Sequence, residues 1–149
     1  MIWKPNVTVA AIIERAGKYL LVEEDQQEWG IQLNQPAGHL EPNESIIQAC
    51  VREVLEETAY TFIPHWLVGI YHWHSNKTNT TFIRFAFSGT VTEFDAGRML
   101  DSGILRAAWF DLSEIRDRRD CHRSPLVMQC IDDYLAGKRY SLEIFTHYD

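Results

Sequence analysis

Glu53, Glu56 and Glu57 lie in the run Arg52-Glu53-Val54-Leu55-Glu56-Glu57-Thr58. At helical spacing they share an arc of roughly 100°. Ile47, Cys50, Val51, Val54 and Leu55 fill the neighbouring arc, the apolar face of an amphipathic helix. Carboxylates packed this closely raise one another's pKa unless a positive charge stands between them. A hard divalent cation, Mg2+ or Mn2+, meets that need with oxygen ligands and leaves positions for water and phosphate. Just upstream, Gly38 lets the backbone approach and offer a carbonyl oxygen. The candidate metal site is therefore Gly38, Glu53, Glu56 and Glu57.

By itself Glu-x-x-Glu-Glu also suits a solvated acidic face. The longer pattern decides between them. It runs Gly38, five residues, Glu44, seven residues, then Arg52-Glu53-Val54-Leu55-Glu56-Glu57-Thr58-Ala59-Tyr60. Six fixed residues at these offsets arise by chance in about one of 10⁵ chains of this size. The pattern resembles the Nudix signature: Gly, five residues, Glu, seven residues, then Arg-Glu-U-x-Glu-Glu-x-Gly-U, with U a bulky aliphatic. It departs at the end, where Ala59 stands for the last glycine and Tyr60 for the aliphatic. Alanine in a left-handed helix exit costs about 1 kcal/mol.

The resemblance implies an α/β fold, the Nudix α/β/α sandwich with a mixed β-sheet, its signature forming a loop-helix-loop. It implies a hydrolase in which Glu53, Glu56 and Glu57 hold divalent metal while Glu44 and Arg52 orient them through ion pairs. Glu53, Arg52 and Glu57 form the expected catalytic group, with Glu53 as base. Asp101, in Leu100-Asp101-Ser102-Gly103, is an alternative base from a loop that could overhang the metals. Metal neutralises substrate phosphates and acidifies a water for in-line attack on phosphorus.

Further segments resemble the NudJ subgroup of bacterial phosphatases. They are Lys4–Ala10, Asn34–Glu41, Arg123–Val127 and Gly137–Glu143. The substrates this implies are the thiamine-precursor pyrimidine diphosphate, thiamine diphosphate and nucleoside di- and triphosphates. One alternative is a nucleotide-pool enzyme releasing pyrophosphate from nucleoside triphosphates. Another, of a different class, is a non-catalytic Nudix domain that senses a nucleotide or sugar phosphate.

Four more residues are candidates for substrate contact. His39 follows the loop glycine and can donate to a phosphate oxygen or cap the loop. Trp73 and His74 can stack on or hydrogen-bond to a heterocycle, or be ordinary sheet-surface residues. His72-Trp73-His74 places two imidazoles on one side of a strand, but the spacing supplies no further zinc ligands. Arg84 interrupts the apolar run Thr81-Phe82-Ile83-Arg84-Phe85, where its charge can meet a phosphate or a glutamate.

The chain has 149 residues, is 46% hydrophobic and 23% charged, and carries a net charge of −7. That suits a single globular domain spanning 1–149 and argues against a nucleic-acid surface. No signal-peptide or membrane-spanning run stands in Met1–Val22, so a cytoplasmic location is expected, with no membrane partner and a monomer or homodimer. Cys50, Cys121 and Cys130 form no C-x-x-C pair and read as reduced thiols.

The elements that must position these residues follow from periodicity and turn residues. Strands are expected at Val7–Ile13, Tyr19–Glu23, around Trp29–Asn34, at Leu67–Trp73, Thr81–Thr92 and Ala107–Phe110. Pro36-Ala37-Gly38-His39 reads as a loop. The central helix is expected over Glu44–Thr58 with Asn43 as N-cap, and short helices open at Asp111 and at Ser124-Pro125. Trp3, Trp29 and Trp66 read as packing residues.

Overall fold

The structure is a computed structural model describing residues 1–149. Eight strands form a continuous sheet that bends into two arms. The strands are β1 (Asn6–Arg15), β2 (Lys18–Asp25), β3 (Ile31–Asn34), β4 (Ala37–His39), β5 (Tyr60–Ser75), β6 (Thr80–Phe94), β7 (Ile104–Asp111) and β8 (Tyr140–Ser141). One arm is ordered β4-β1-β6-β5-β8, the other β3-β2-β7, and the tight β1–β2 turn at Ala16-Gly17 joins them. β1 and β6 are parallel from Asn6↔Phe82 to Ile13↔Gly89 and the remaining pairings are antiparallel, so the sheet is mixed.

Three helices cover it: α1 (Ile46–Thr58), α2 (Leu112–Asp117) and α3 (Leu126–Leu135). β1 is buried on both faces, which explains its unbroken apolar run. Val9, Ala11 and Ile13 pack with Ala49, Cys50 and Val54 of α1, while Ile12 packs with Met128, Cys130 and Ile131 of α3. This sheet between two helical layers is the expected α/β/α sandwich. No helix is long and apolar enough to cross a membrane.

Both short helices open where expected, α2 on a capping box between Asp111 and Glu114 and α3 on Pro125. The central helix starts later than expected. Asn43 is not its cap but a left-handed residue with φ 66°. Ser45 caps instead, accepting from Gln48 N at 3.0 Å while Gln48 Oε1 accepts from Ser45 N at 2.8 Å. This reciprocal box outcompetes Asn43 and leaves Glu44 outside the helix, free to reach Arg52. At the other end Ala59 adopts the left-handed exit itself, with φ 65°. The exit geometry survives loss of the glycine.

Strand β5 begins well before its expected start at Leu67 and β6 exceeds its bounds only slightly, because each supplies the other's backbone partners from Tyr60↔Phe94 to Ser75↔Thr80. The segment Ala37–His39 is strand rather than loop. It pairs with β1 in the register Thr8↔His39, Val9↔Gly38 and Ala10↔Ala37. Pro36 misled the sequence reading because its carbonyl, which proline retains, is all the ladder needs from it: Ala11 N donates to Pro36 O at 3.0 Å. The three tryptophans read as packing, Trp3, Trp29 and Trp66, are 71%, 49% and 41% exposed.

Candidate functional site

β4 fixes the site because its backbone faces two ways. Leu40 N donates to Val7 O and Ala11 N to Pro36 O. By antiparallel alternation Gly38 exchanges its backbone bonds with Val9, whereas Ala37 and His39 turn theirs away from β1 toward α1. Ala37 N donates to Glu57 Oε1 at 2.9 Å, and His39 O accepts from Arg52 Nη2 at 2.9 Å. The carbonyl that this edge presents on the carboxylate side is thus that of Ala37. The expected role of the Gly38 carbonyl is corrected by register, since the sheet already engages it. Gly38 contributes space instead: a Cβ there would collide with the carboxylate of Glu53.

The Gly38→Ala variant is expected to fold, because the far end of the Glu53 side chain can swing aside. Displacing that carboxylate should lower kcat/KM at least about 100-fold, as small misplacements at such sites do. Unchanged kcat/KM together with an unchanged melting temperature would show that this contact has no role.

The acids divide into two groups. Carboxylate oxygens of Glu53, Glu56 and Asp101 lie within 4.8 Å of one another. Asp101 reaches them because its backbone N donates to Glu56 O at 3.0 Å, pinning the Asp95–Gly103 loop to the helix end. Glu57 stands apart from that trio, one turn beyond Glu53 on the buried ridge and against Ala37. The three expected glutamates therefore do not converge on one point, and a loop aspartate completes the cluster.

Arg52 holds the group together. Nε and Nη2 make a bidentate pair with Glu44 at 2.9 and 2.8 Å, and Nη1 donates to Glu53 at 2.7 Å and Glu56 at 2.6 Å. These bonds, that to Glu44 foremost, hold its guanidinium charged well above the ordinary arginine range. Even so, burial pushes Glu53 up to about 7 against the pull of Arg52. Burial likewise pushes Glu57 up to about 9, and the Ala37 N–H offsets only part of this. Asp101 is raised by burial and then by Glu56. One arginine is too little charge for so many acids. The donor set of hard oxygens fits a divalent cation.

Glu53, Glu57, Ala37 and Gly38 line a cleft of about 960 Å³. Of the expected substrate contacts, His39, Trp73 and Arg84 line this cleft, but His74 does not. Alternation along β5 turns His74 to the face opposite Trp73, where Nδ1 meets Thr81 Oγ1 at 3.0 Å. Trp73 stacks on Phe82 with centroids 5.7 Å apart and planes 19° from parallel. Sequence reasoning missed Glu24, Trp29 and Lys77 on the cleft wall. Lys77 Nζ sits 4.7 Å from the Trp29 ring centroid, a contact between two distant turns that no local pattern encodes. Glu24 takes Arg123 at 3.3 Å through Oε2, while its buried Oε1 has no partner. Its signal was present in principle, as an acid pair ending an otherwise apolar strand.

A sheet-bound glycine, an arginine-braced acid cluster and an open cleft in this sandwich define a Nudix hydrolase, and the NUDIX domain family matches residues 3–129. The chain belongs to that family. Phosphatase NudJ of Escherichia coli K12 is 35% identical over 147 residues, covering 99% of this chain and 94% of the relative, and NudJ of Shigella flexneri matches equally. A NUDIX hydrolase structure from Nitrosomonas europaea is 63% identical, with a TM-score of 0.96 over 97% of this chain and 98% of that one. A bifunctional NMN adenylyltransferase/ADP ribose pyrophosphatase from Francisella tularensis shares the fold at 19% identity, with a TM-score of 0.72 over 90% of this chain and 42% of its own.

Proposed function

We propose that this hydrolase is a Mg2+- or Mn2+-dependent phosphohydrolase of small diphosphates and nucleotides, including the thiamine-precursor pyrimidine diphosphate, thiamine diphosphate and nucleoside di- and triphosphates. The observation that carries the reading is that Glu53 of the acid cluster, together with Glu57, lines the same cleft as a stacked aromatic pair and an arginine. Glu53, Glu56, Glu57 and Asp101, with the Ala37 carbonyl, are the groups that would hold metal. When bound, the metal supplies positive charge for the phosphates and makes water more acidic.

The chain's own residues do the rest. Arg52 fixes Glu53 by its Oε1, and Oε2, which makes no protein hydrogen bond, takes the proton from the attacking water. Arg52 also keeps Glu56 in place, and Glu44 anchors Arg52 in turn. Trp73 and Phe82 give a heterocycle a flat apolar surface, and His39 lines the same cleft as Glu53 and Glu57. The likeness to NudJ supports release of inorganic phosphate as the expected outcome.

The test is a panel of thiamine diphosphate, its pyrimidine precursor diphosphate and nucleoside di- and triphosphates with Mg2+ or Mn2+, assayed for phosphate and pyrophosphate separately. Phosphate release that requires the metal is expected. Pyrophosphate alone from triphosphates would transfer the protein to the nucleotide-pool reading, and turnover confined to dinucleotides or sugar nucleotides would overturn the proposal.

A further inference from the structure

Arg84 is a cation without a counter-ion. It is 6% exposed, and no carboxylate lies within 4.0 Å of its guanidinium. Its partners are neutral amides and a thiol. Nη1 donates to Gln35 Oε1 at 3.1 Å and approaches Cys130 Sγ at 3.8 Å, and Nη2 donates to Asn34 Oδ1 at 3.2 Å. Burial pushes the Cys130 thiol up, so it brings no negative charge. Asp133, an acid on α3, is taken by Tyr71 at 2.7 Å and Lys138 at 3.1 Å. The Nε–H and one Nη2 N–H of Arg84 have no protein acceptor. A charge largely withdrawn from water and left without a counter-ion is costly, and the unbonded Nε–H, which is not sealed from solvent, is free to meet a ligand.

The cost has a direction, because Arg84 lies on the cleft wall. Its place is held by the same short segment that builds the acid site. Gln35 fixes the guanidinium, and Ala37, two residues on, hydrogen-bonds Glu57. Two residues of extended chain span at most about 7 Å, so the guanidinium and the Glu57 carboxylate are held by neighbouring points of one segment. On the other side, Phe82 precedes Arg84 by two residues on β6, so its ring points to the same face and stacks there with Trp73. Arg84 thus adjoins the acids through the Gln35–Ala37 segment and the aromatic pair through β6, and all three line one cleft.

We infer that Arg84, oriented by Asn34 and Gln35, is the receptor for the phosphate nearest the organic group of the substrate, the one that stays on the product. The ligand class is a phosphate monoester or the inner phosphate of a diphosphate, gripped by a fork of N–H donors while the acid cluster serves the outer phosphate. The inference rests on the diphosphate reading of the cleft. It adds a consequence: the monophosphate product retains the Arg84 contact and competes with substrate.

Two measurements separate the inference from the reading beneath it. In the first, inorganic phosphate is titrated into metal-free protein and followed by ³¹P line broadening, for wild type, Arg84→Met and Arg84→Lys. Binding should weaken at least about tenfold in Arg84→Met and recover in part in Arg84→Lys, which restores charge but not the fork. In the second, steady-state kinetics with Mg2+ are run on the panel's best diphosphate. KM should rise about 10- to 100-fold in Arg84→Met with a much smaller fall in kcat, the scale of a lost charge-assisted contact. Inhibition by the monophosphate product should weaken in parallel.

A folded Arg84→Met protein with wild-type phosphate binding and wild-type KM overturns the inference. So does a kcat loss without a KM change in both variants, which marks a structural role only. If no diphosphate is turned over but phosphate binding still depends on Arg84, the anion site stands and the substrate reading falls. Should Arg84→Met fail to fold, the titration and KM of Arg84→Lys decide.

Discussion

Glu57→Gln is expected to remove turnover, lowering kcat/KM by at least about 10³-fold, while leaving the metal-free protein folded. Glutamine has nearly the same shape, and its side-chain oxygen can still accept from Ala37 N, so packing beside β4 is conserved. Only the capacity to carry negative charge is lost, and with it a ligand for a divalent cation. The same substitution should change the pH dependence of stability. Glu57 carries a proton in the folded metal-free protein up to about 9, against an ordinary glutamate value of 4.5 when unfolded. The folded state therefore binds more protons than the unfolded state between these values, and stability declines as pH rises through that window. In the glutamine variant this contribution vanishes and the profile flattens by one proton. Activity within tenfold of wild type would refute the role of Glu57, and an unflattened profile would refute its burial as a neutral acid.

Metal removal and restoration should give the second large effect. Glu53, raised to about 7, and Asp101, also raised, add to the trend set by Glu57. The sign is the same for all three: a raised carboxyl pKa stabilises the fold fully below the unfolded value and loses that contribution as pH climbs through the folded value. Metal-free protein in a chelator should thus show its highest melting temperature near pH 5 and a falling one toward pH 9. A divalent cation such as Mg2+ or Mn2+ would bind the deprotonated acids, so its addition should release protons and raise the melting temperature more at pH 9 than at pH 6. Thermal scans with and without chelator, paired with calorimetry in buffers of different ionisation enthalpy, test both statements. A metal-induced shift that is equal at the two pH values, or binding without proton release, would contradict the buried-acid description.

The sequence by itself determined the chemistry and the class of fold. Gly38, Glu44, Arg52, Glu53, Glu56 and Glu57 are bound by short-range spacing, and one helix with its preceding segment presents them whatever the rest of the chain does. The apolar runs of β1 and the turn residues at Gly17 and Pro125 made the layered α/β arrangement legible for the same local reason. Tertiary structure decided the rest. Whether Gly38 or Ala37 presents its carbonyl to the acids depends on strand register, which alternates with every residue and is set by a partner strand far along the chain. Asp101 joins Glu53 and Glu56 only because a distant loop docks on the end of α1. His74 and Trp73 part company through the pleat of β5, and Arg84 lacks a counter-ion only because of what folds around it. Chemical identity is written in neighbouring residues. Direction, burial and company are properties of long-range packing, which no local pattern carries.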